Sequence, residues 1–267
     1  MLVTGTTEIV GIIGTPIVQV KSPGVINGYF QEHGLNRVLV PMDIHPVGIP
    51  AFVETVRRWQ NLRGIIVTVP YKQVLAPLMD RLTDRAALFS TINVFRRDPD
   101  GTLEGEMLDG VGFIAAQQRH GQTVTGKSAA VVGAGGVASA ITGALCENGI
   151  ARLAIQDQDT AKQDRLIATL HSAFPRVAFS DRIESLRDTD LLVNATPVGM
   201  NDDPSLPLPD AVLATLPNRC FVADVVTAPA MTPFLIFARA RGCGIQQGVE
   251  MTETQLLPLT RFLGVAA

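Results

Sequence analysis

Short apolar runs alternate with amphipathic stretches along this chain, and the alternation starts twice. In the first hundred residues, 9–13, 37–41 and 64–69 read as buried strands, the first followed by a Gly14-Thr15-Pro16 turn. Ser22-Pro23 reads as an N-cap with proline at the first helical position, opening a helix toward His33, and residues 50–60 form a second helix. Pro70 cannot donate to a strand ladder, so the third strand is expected to end there and a helix to run on through Met79. Residues 92–95 and 102–106 flank Asp98-Pro99-Asp100-Gly101, which has the composition of a hairpin turn. A second run starts near Lys127, with strands at 129–132, 152–155, 176–179, Leu191–Asn194, Phe221–Asp224 and Gly244–Gln246. Helices are expected at 137–148, ending at Gly149, and at 160–174, 232–241 and 250–262. Strands separated by helices argue for mainly parallel α/β layers, and the restart of the pattern puts a boundary within 106–127.

Composition narrows this picture. A length of 267 residues suggests about two domains, and 46% hydrophobic against 18% charged residues excludes a disordered chain. With 22 Lys+Arg against 25 Asp+Glu the net charge is −3, which offers no basic patch for nucleic acid. Cys146, Cys220 and Cys243 lie far apart with no Cys-x-x-Cys spacing; this excludes a disulfide framework or cysteine-based zinc site and favours a reducing, cytoplasmic compartment. The histidines show no ligand spacing, so no metal is expected. The opening MLVTGTTEIV carries no basic n-region, and no signal peptide is expected. Residues 128–146 are apolar enough to suggest a membrane span. Gly133, Gly135 and Gly136 interrupt them early, which suits a buried strand, a glycine turn and a helix better.

The strongest local signal is that interruption. Gly133-Ala134-Gly135-Gly136-Val137-Ala138 matches G-x-G-x-x-[G/A], follows an apolar strand and opens a helix. Gly133 permits the tight turn, Gly135 lets backbone approach a pyrophosphate, and Ala138 keeps helix close to strand. The free N–H groups at the helix start face the phosphates. Asp157 lies 24 positions after Gly133, near the roughly 20-residue offset of a ribose-binding acid, and no Arg or Lys follows in the next two positions. NAD is therefore favoured over NADP as cofactor. A loop acid or the N-cap of the helix from Thr160 is the alternative role for Asp157.

Several separate motifs together resemble the shikimate/quinate dehydrogenase family over essentially the whole chain. Gly14-Thr15-Pro16-Ile17 with Lys21-Ser22-Pro23 is similar to the family's G-x-P-I-x-x-S-x-S-P, and Val67-Thr68-Val69-Pro70-Tyr71-Lys72 to N-V-T-x-P-[FY]-K. Ile92-Asn93 stands where the family has V-N-T, and Gly105 through Asp109, Gly110 and Gly112 resemble G-x-N-T-D-x-x-G. Asn194-Ala195-Thr196-Pro197-Val198-Gly199-Met200 resembles N-A-T-[SP]-x-G-M, while Asp224-Val225-Val226 through Pro229 and Gly248-x-x-Met251 through Gln255 complete the set.

The resemblance implies a two-domain α/β fold. Residues 1–108 would form an α/β substrate domain, rejoined by a C-terminal helical segment at 248–267, and 109–247 a Rossmann-type parallel-sheet domain. It implies reversible hydride transfer between a ring alcohol carbon and nicotinamide, with a cyclic hydroxy acid or related alcohol as partner and neither nucleic acid nor membrane; a homodimer is left open. Lys72 and Asp109 are the implied acid/base pair. Ser22, Thr68, Asn93, Thr227 and Gln255 fall on the substrate side. Asn194, Ala195, Thr196, Pro197, Met200, Val225, Gly248 and Met251 join the glycine turn on the cofactor side. Taken singly, each has an ordinary reading: Lys72 a solvated helix start, Asp109 an N-cap before Gly110, Asn93 a partner for hairpin backbone, Thr68 a strand residue.

The departures from the family concentrate on the substrate side. The first clamp serine is Val20, leaving Ser22 as the remaining hydroxyl. The Asn ahead of V-T-x-P is Ile66, the N-T before Asp109 is Met107-Leu108, the His after S-P is Ile26, and the Tyr of D-x-x-Y is Thr227. A site missing these partners disfavours a carboxylate-bearing ligand, since an unmade buried hydrogen bond costs about 1–3 kcal/mol. The expected function is a shikimate dehydrogenase-like NAD(P)-dependent alcohol dehydrogenase with altered substrate preference. A non-catalytic dinucleotide-binding sensor or regulatory protein is the alternative; retention of Lys72 with Asp109 speaks against it. A methylene-tetrahydrofolate dehydrogenase type is disfavoured by the N-A-T-P-x-G-M and Gln255 motifs.

Overall fold

A computed structural model describes residues 2–18, 20–201 and 203–266. The chain divides into two units, Met1–Leu108 with Gln255–Ala267, and Asp109–Thr254.

The first unit holds a six-stranded sheet of β1 (Glu8–Gly14), β2 (Arg37–Asp43), β3 (Leu62–Val67), β4 (Arg81–Leu82), β5 (Val94–Arg97) and β6 (Leu103–Glu106), in the order β2-β1-β3-β5-β6-β4. Strands β1, β2 and β3 are parallel, whereas β5 runs antiparallel to both β3 and β6. The sheet is thus mainly parallel, with β4 parallel to β6 and β5 as the antiparallel strand. The hairpin is the cause of that exception: Gly101, at φ +92°, lets the chain reverse within four residues, and the Asp98 amide donates to Thr102 O at 2.9 Å. Helices α1 (Ser22–Glu32), α2 (Ile49–Arg58), α3 (Lys72–Leu75) and α4 (Asp84–Phe89) connect the strands. Ser22 is the first residue of α1 and not its cap; Lys21 holds the N-cap position without a side-chain bond. The helix expected through Met79 stops at Leu75 and tightens into a 3-10 turn, Ala76–Leu78, because Pro77 has no N–H to continue the ladder. Strand β3 ends at Val67, short of Pro70.

The second unit carries β7 (Ser128–Val132), β8 (Arg152–Gln156), β9 (Ala178–Ser180), β10 (Leu191–Asn194), β11 (Phe221–Asp224) and β12 (Gly244–Gln246). Every neighbouring pair is parallel, and the order β12-β11-β10-β7-β8-β9 is that of two mononucleotide-binding halves meeting at β7 and β10. Its helices are α5 (Asp109–Arg119), α6 (Gly136–Glu147), α7 (Thr160–Ala173), α8 (Asp210–Leu213), α9 (Pro233–Ala240) and α10 (Gly248–Thr254). Apolar residues of β7, β10 and β11 pack with Phe234, Leu235 and Ala238 of α9 in one core cluster. Helices α5 and α6 meet through small residues: a Cβ on Gly110 would run into the Ala140 carbonyl and stand 2.7 Å from Ala144 Cβ.

The last helix, α11 (Leu256–Phe262), belongs to the first unit, where the Arg96 guanidinium lies over the Phe262 ring. The single helix expected at 250–262 is therefore two. Pro258 cannot donate to Thr254 O, so the ladder breaks at Gln255 and proline is accommodated in the first turn of a new helix. Among the described residues no helix is long and apolar enough to cross a membrane, and the 128–146 stretch is β7, a glycine turn and α6.

Candidate active site

In the second unit, β7 delivers the chain into a turn at Gly133, whose φ of +116° suits glycine. A Cβ there would lie 2.9 Å from Ala195 O, so the loop after β10 packs directly on the turn. Gly135 is the N-cap of α6 and caps with no side chain. Nothing stands within 4 Å of where its Cβ would be, which leaves open space over the first turn. Gly136 and Val137 are half-buried; Ala134 is buried and Ala138 fully so, against the strand. An uncapped helix start behind an open glycine is what a diphosphate needs, because unbonded N–H groups and the positive dipole end both favour an anion.

Asp157, just past β8, ties this turn down. Its Oδ2 accepts the Ala134 amide at 2.6 Å and its Oδ1 the Asp159 amide at 2.8 Å. Capping of α7 falls to Asp159, whose Oδ1 accepts the Lys162 amide at 3.1 Å.

Asn194 is fully buried at the end of β10. Its Oδ1 accepts the Thr196 amide at 3.1 Å and the Thr196 hydroxyl at 2.6 Å; its Nδ2 donates to Val198 O and Asp224 Oδ1, both at 3.1 Å. A carboxamide offers two donors and two acceptor sites, so the side chain is saturated by protein. Asn194 shapes the loop, and its side-chain hydrogen-bonding groups are all engaged within it and with Asp224. Ala195 and Thr196 are half-buried, while Pro197 and Met200 are exposed on the loop. Val225 donates its amide to Asn194 O at 3.1 Å. Gly248 opens α10 so close to this segment that a Cβ would stand 2.6 Å from Val225 O. Met251 is buried within α10, and Thr227 is exposed beyond β11.

In the first unit, Lys72 is half-buried as the first residue of α3, and its carbonyl accepts the Ile92 amide at 2.9 Å. Tyr71 anchors that junction with 1% of its surface exposed and its hydroxyl donating to Ile44 O; burial raises its pKa above 10.0. Thr68 is half-buried, bonded through its amide to Ile13 O at 2.9 Å, beside Gly14. Asn93 is buried, and its Oδ1 accepts the Leu108 amide at 2.8 Å. The carbonyl of its side chain thus serves backbone two residues past β6. Ser22 is half-buried and Gln255 buried.

Two buried acids lie within motifs quoted from the sequence but have no role assigned from it. Glu106, the x of G-x-N-T-D, accepts the Met107 amide at 2.8 Å and the Thr83 hydroxyl at 2.7 Å on Oε1, and Arg85 at 2.9 Å on Oε2. Together, Glu106 and Asn93 hold both peptide amides that precede Asp109, itself buried at the start of α5. Asp224 is the second, 1% exposed, with its pKa raised by burial against several opposing hydrogen bonds. The available signal was a polar residue closing an apolar strand, in Phe221–Asp224 as in Leu191–Asn194. Of the substrate-side departures, Ile66, Met107, Leu108 and Ile26 are buried and Val20 half-buried.

A doubly wound parallel sheet with an open glycine turn, an uncapped helix start and an acid at the next strand end defines a dinucleotide-binding unit. Residues 12–95 match the family profile described as shikimate dehydrogenase substrate binding domain. A shikimate dehydrogenase (NADP(+)) of Paramagnetospirillum magneticum is 32% identical over 258 residues, 96% of this chain and 92% of that protein. The shikimate 5-dehydrogenase of Listeria monocytogenes, solved in complex with shikimate and NAD, superposes with a TM-score of 0.90 at 30% identity, covering 98% of this chain and 93% of that one. A ligand-free 5-ketofructose reductase of a Gluconobacter strain gives 0.86 at 26% identity, over 97% and 93%. The chain belongs to the shikimate dehydrogenase family of NAD(P)-dependent alcohol oxidoreductases.

Proposed function

We propose that the protein catalyses reversible hydride transfer between a ring secondary alcohol and nicotinamide, with Lys72 and Asp109 as the acid/base pair and a substrate preference moved away from shikimate and quinate. In this reading residues 1–108 with the C-terminal helix bind substrate and 109–247 bind the dinucleotide. Bound nicotinamide supplies the hydride acceptor or donor. The protein's part is the proton: oxidising a carbinol needs its hydroxyl proton accepted, and the reverse needs the carbonyl oxygen polarised. Lys72 and Asp109 would do this as a coupled pair. One observation carries the assignment. The Ile92–Asn93 segment fixes the backbone at Lys72, through the Ile92 amide on Lys72 O at 2.9 Å, and at Leu108, the residue before Asp109, through Asn93 Oδ1 on its amide at 2.8 Å.

NAD is the preferred cofactor in this reading, although relatives are named for NADP(+). A ribose hydroxyl can donate to Asp157, whereas a 2′-phosphate would meet the carboxylates of Asp157 and Asp159, with Gln158 between them and no cation at those positions. Val20, Ile66, Met107, Leu108 and Thr227 remove hydrogen-bonding partners from the carboxylate side, which favours an uncharged or weakly polar alcohol. Likeness to a protein named for 5-ketofructose, a neutral sugar, supports such a change on this fold. Steady-state kinetics with NAD and NADP on shikimate, quinate, cyclic diols and neutral ketoses test it, with Lys72→Ala as the control. Turnover of a neutral alcohol above shikimate, abolished in Lys72→Ala, is the expected result. High efficiency on shikimate refutes the altered preference, and full activity in Lys72→Ala refutes the pair. The same comparison excludes or restores the non-catalytic reading, which no observation favours.

A further inference from the structure

In the second unit, Asp224 and Asn194 close adjacent parallel strands in register, at the carboxyl edge where a doubly wound sheet receives its ligand. Neither side chain reaches solvent, with exposures of 1% and 0%. Asp224 Oδ1 accepts Asn194 Nδ2 at 3.1 Å and the Val226 amide at 3.0 Å, and Oδ2 accepts the Thr232 hydroxyl at 2.7 Å. Thr232 in turn caps α9 by accepting the Leu235 amide at 3.2 Å. The ring closes through the loop. Gly199 turns at φ +87° against Thr232, where a Cβ would stand 3.3 Å from Thr232 Cβ. Asp224 therefore ties the start of the 194–199 loop through Asn194, and the Thr232 it also holds packs against the loop's far end at Gly199, whose amide donates to Asp203 Oδ2 at 3.1 Å. Through Ala195 that loop rests on Gly133, the first glycine of the turn.

We infer that Asp224, acting through Asn194 and Thr232, is a positioning residue for the nicotinamide half of the dinucleotide. It touches no cofactor atom. It holds the loop beneath the second mononucleotide half of the sheet, built on β10, β11 and β12, while the adenine half rests on β7, β8 and β9. Its cost supports a function: burial raises the carboxyl pKa, so keeping the ionised form there opposes folding, and an apolar strand end would pack without that penalty. The inference rests on the dinucleotide reading, and its test separates the two.

Calorimetric titration compares NAD, NADP and ADP, which fills the adenine half alone, on the wild-type protein and on Asp224→Asn, Thr232→Val and Thr232→Ser. Asp224→Asn and Thr232→Val are expected to weaken the preferred dinucleotide about tenfold, the equivalent of one hydrogen bond to a charged group, with ADP affinity unchanged. Thr232→Ser keeps the hydroxyl and should bind as wild type. Unchanged ADP binding also reports that each variant is folded. Dinucleotide affinity within about twofold of wild type in both disruptive variants, or a parallel loss of ADP, overturns the inference. Wild-type protein that binds ADP but neither dinucleotide removes the dinucleotide reading itself.

Discussion

Replacing Gly110 by alanine tests how the buried acid before it is held. Gly110 sits in the first turn of α5, next to Asp109, and faces α6 across a contact possible only without a side chain. An added Cβ would stand 2.7 Å from Ala144 Cβ and closer still to the Ala140 carbonyl, whereas ordinary contact begins near 3.4 Å. The two helices must part by about 1 Å, and overpacking of that kind costs about 1–3 kcal/mol. Alanine returns up to about 1 kcal/mol of helix propensity, so a net loss of up to about 2 kcal/mol remains, or up to several degrees in Tm. Because Asp109 moves with the helix start, a misplacement of about 1 Å should also lower kcat by about a hundredfold. Scanning calorimetry and steady-state kinetics measure the two effects separately. Gly28→Ala is the control: it lies in α1 with nothing within 4 Å of the new Cβ and should gain about 0.5–1 kcal/mol. A Gly110→Ala protein as stable as the control refutes the close approach. One that loses Tm but keeps kcat refutes the role of Asp109.

Cofactor choice should follow the β8 end: Asp157→Ala with Gln158→Arg removes one repelling carboxylate and adds a cation, and the NADP-to-NAD ratio of kcat/KM should rise at least about tenfold, the equivalent of 1.4 kcal/mol. No change would place the discrimination elsewhere. Asp190 and Asp224 should give opposite pH dependences of stability. The Ser128 amide bond holds the Asp190 carboxyl below its ordinary 3.8, so its stabilisation is present above that pH and lost as pH falls through the lowered native value. Burial raises Asp224 above 3.8, so its contribution is greatest in acid and lost as pH rises through the raised native value. Urea unfolding from about pH 3 to about pH 7 should show the acid-side slope reduced in Asp190→Asn and the opposite slope reduced in Asp224→Asn. Unchanged slopes would contradict both assignments.

Much of the architecture could be read along the chain because its signals are local. Apolar runs marked β7, β10 and β11 almost to the residue, since a strand buried on both faces is largely apolar. The glycine turn was legible because φ near +116° with an approaching backbone excludes nearly every other residue. Short elements were not: β4, α4 and α8 have two to six residues, too few for a period to declare itself. The break at Gln255 was written in Pro258 and hidden by the amphipathic pattern running through it.

By itself, then, the sequence determined the strand and helix succession, the glycine turn and the candidate chemistry, all of which depend on neighbours a few residues away. Tertiary structure decided which polar groups are spent. Asn194, a cofactor contact by motif, is saturated by Thr196, Val198 and Asp224, and Asn93 gives its side-chain oxygen to Leu108. Hydrogen-bonding capacity is finite, and partners such as Asp224, 30 positions from Asn194, become neighbours only when parallel strands pair.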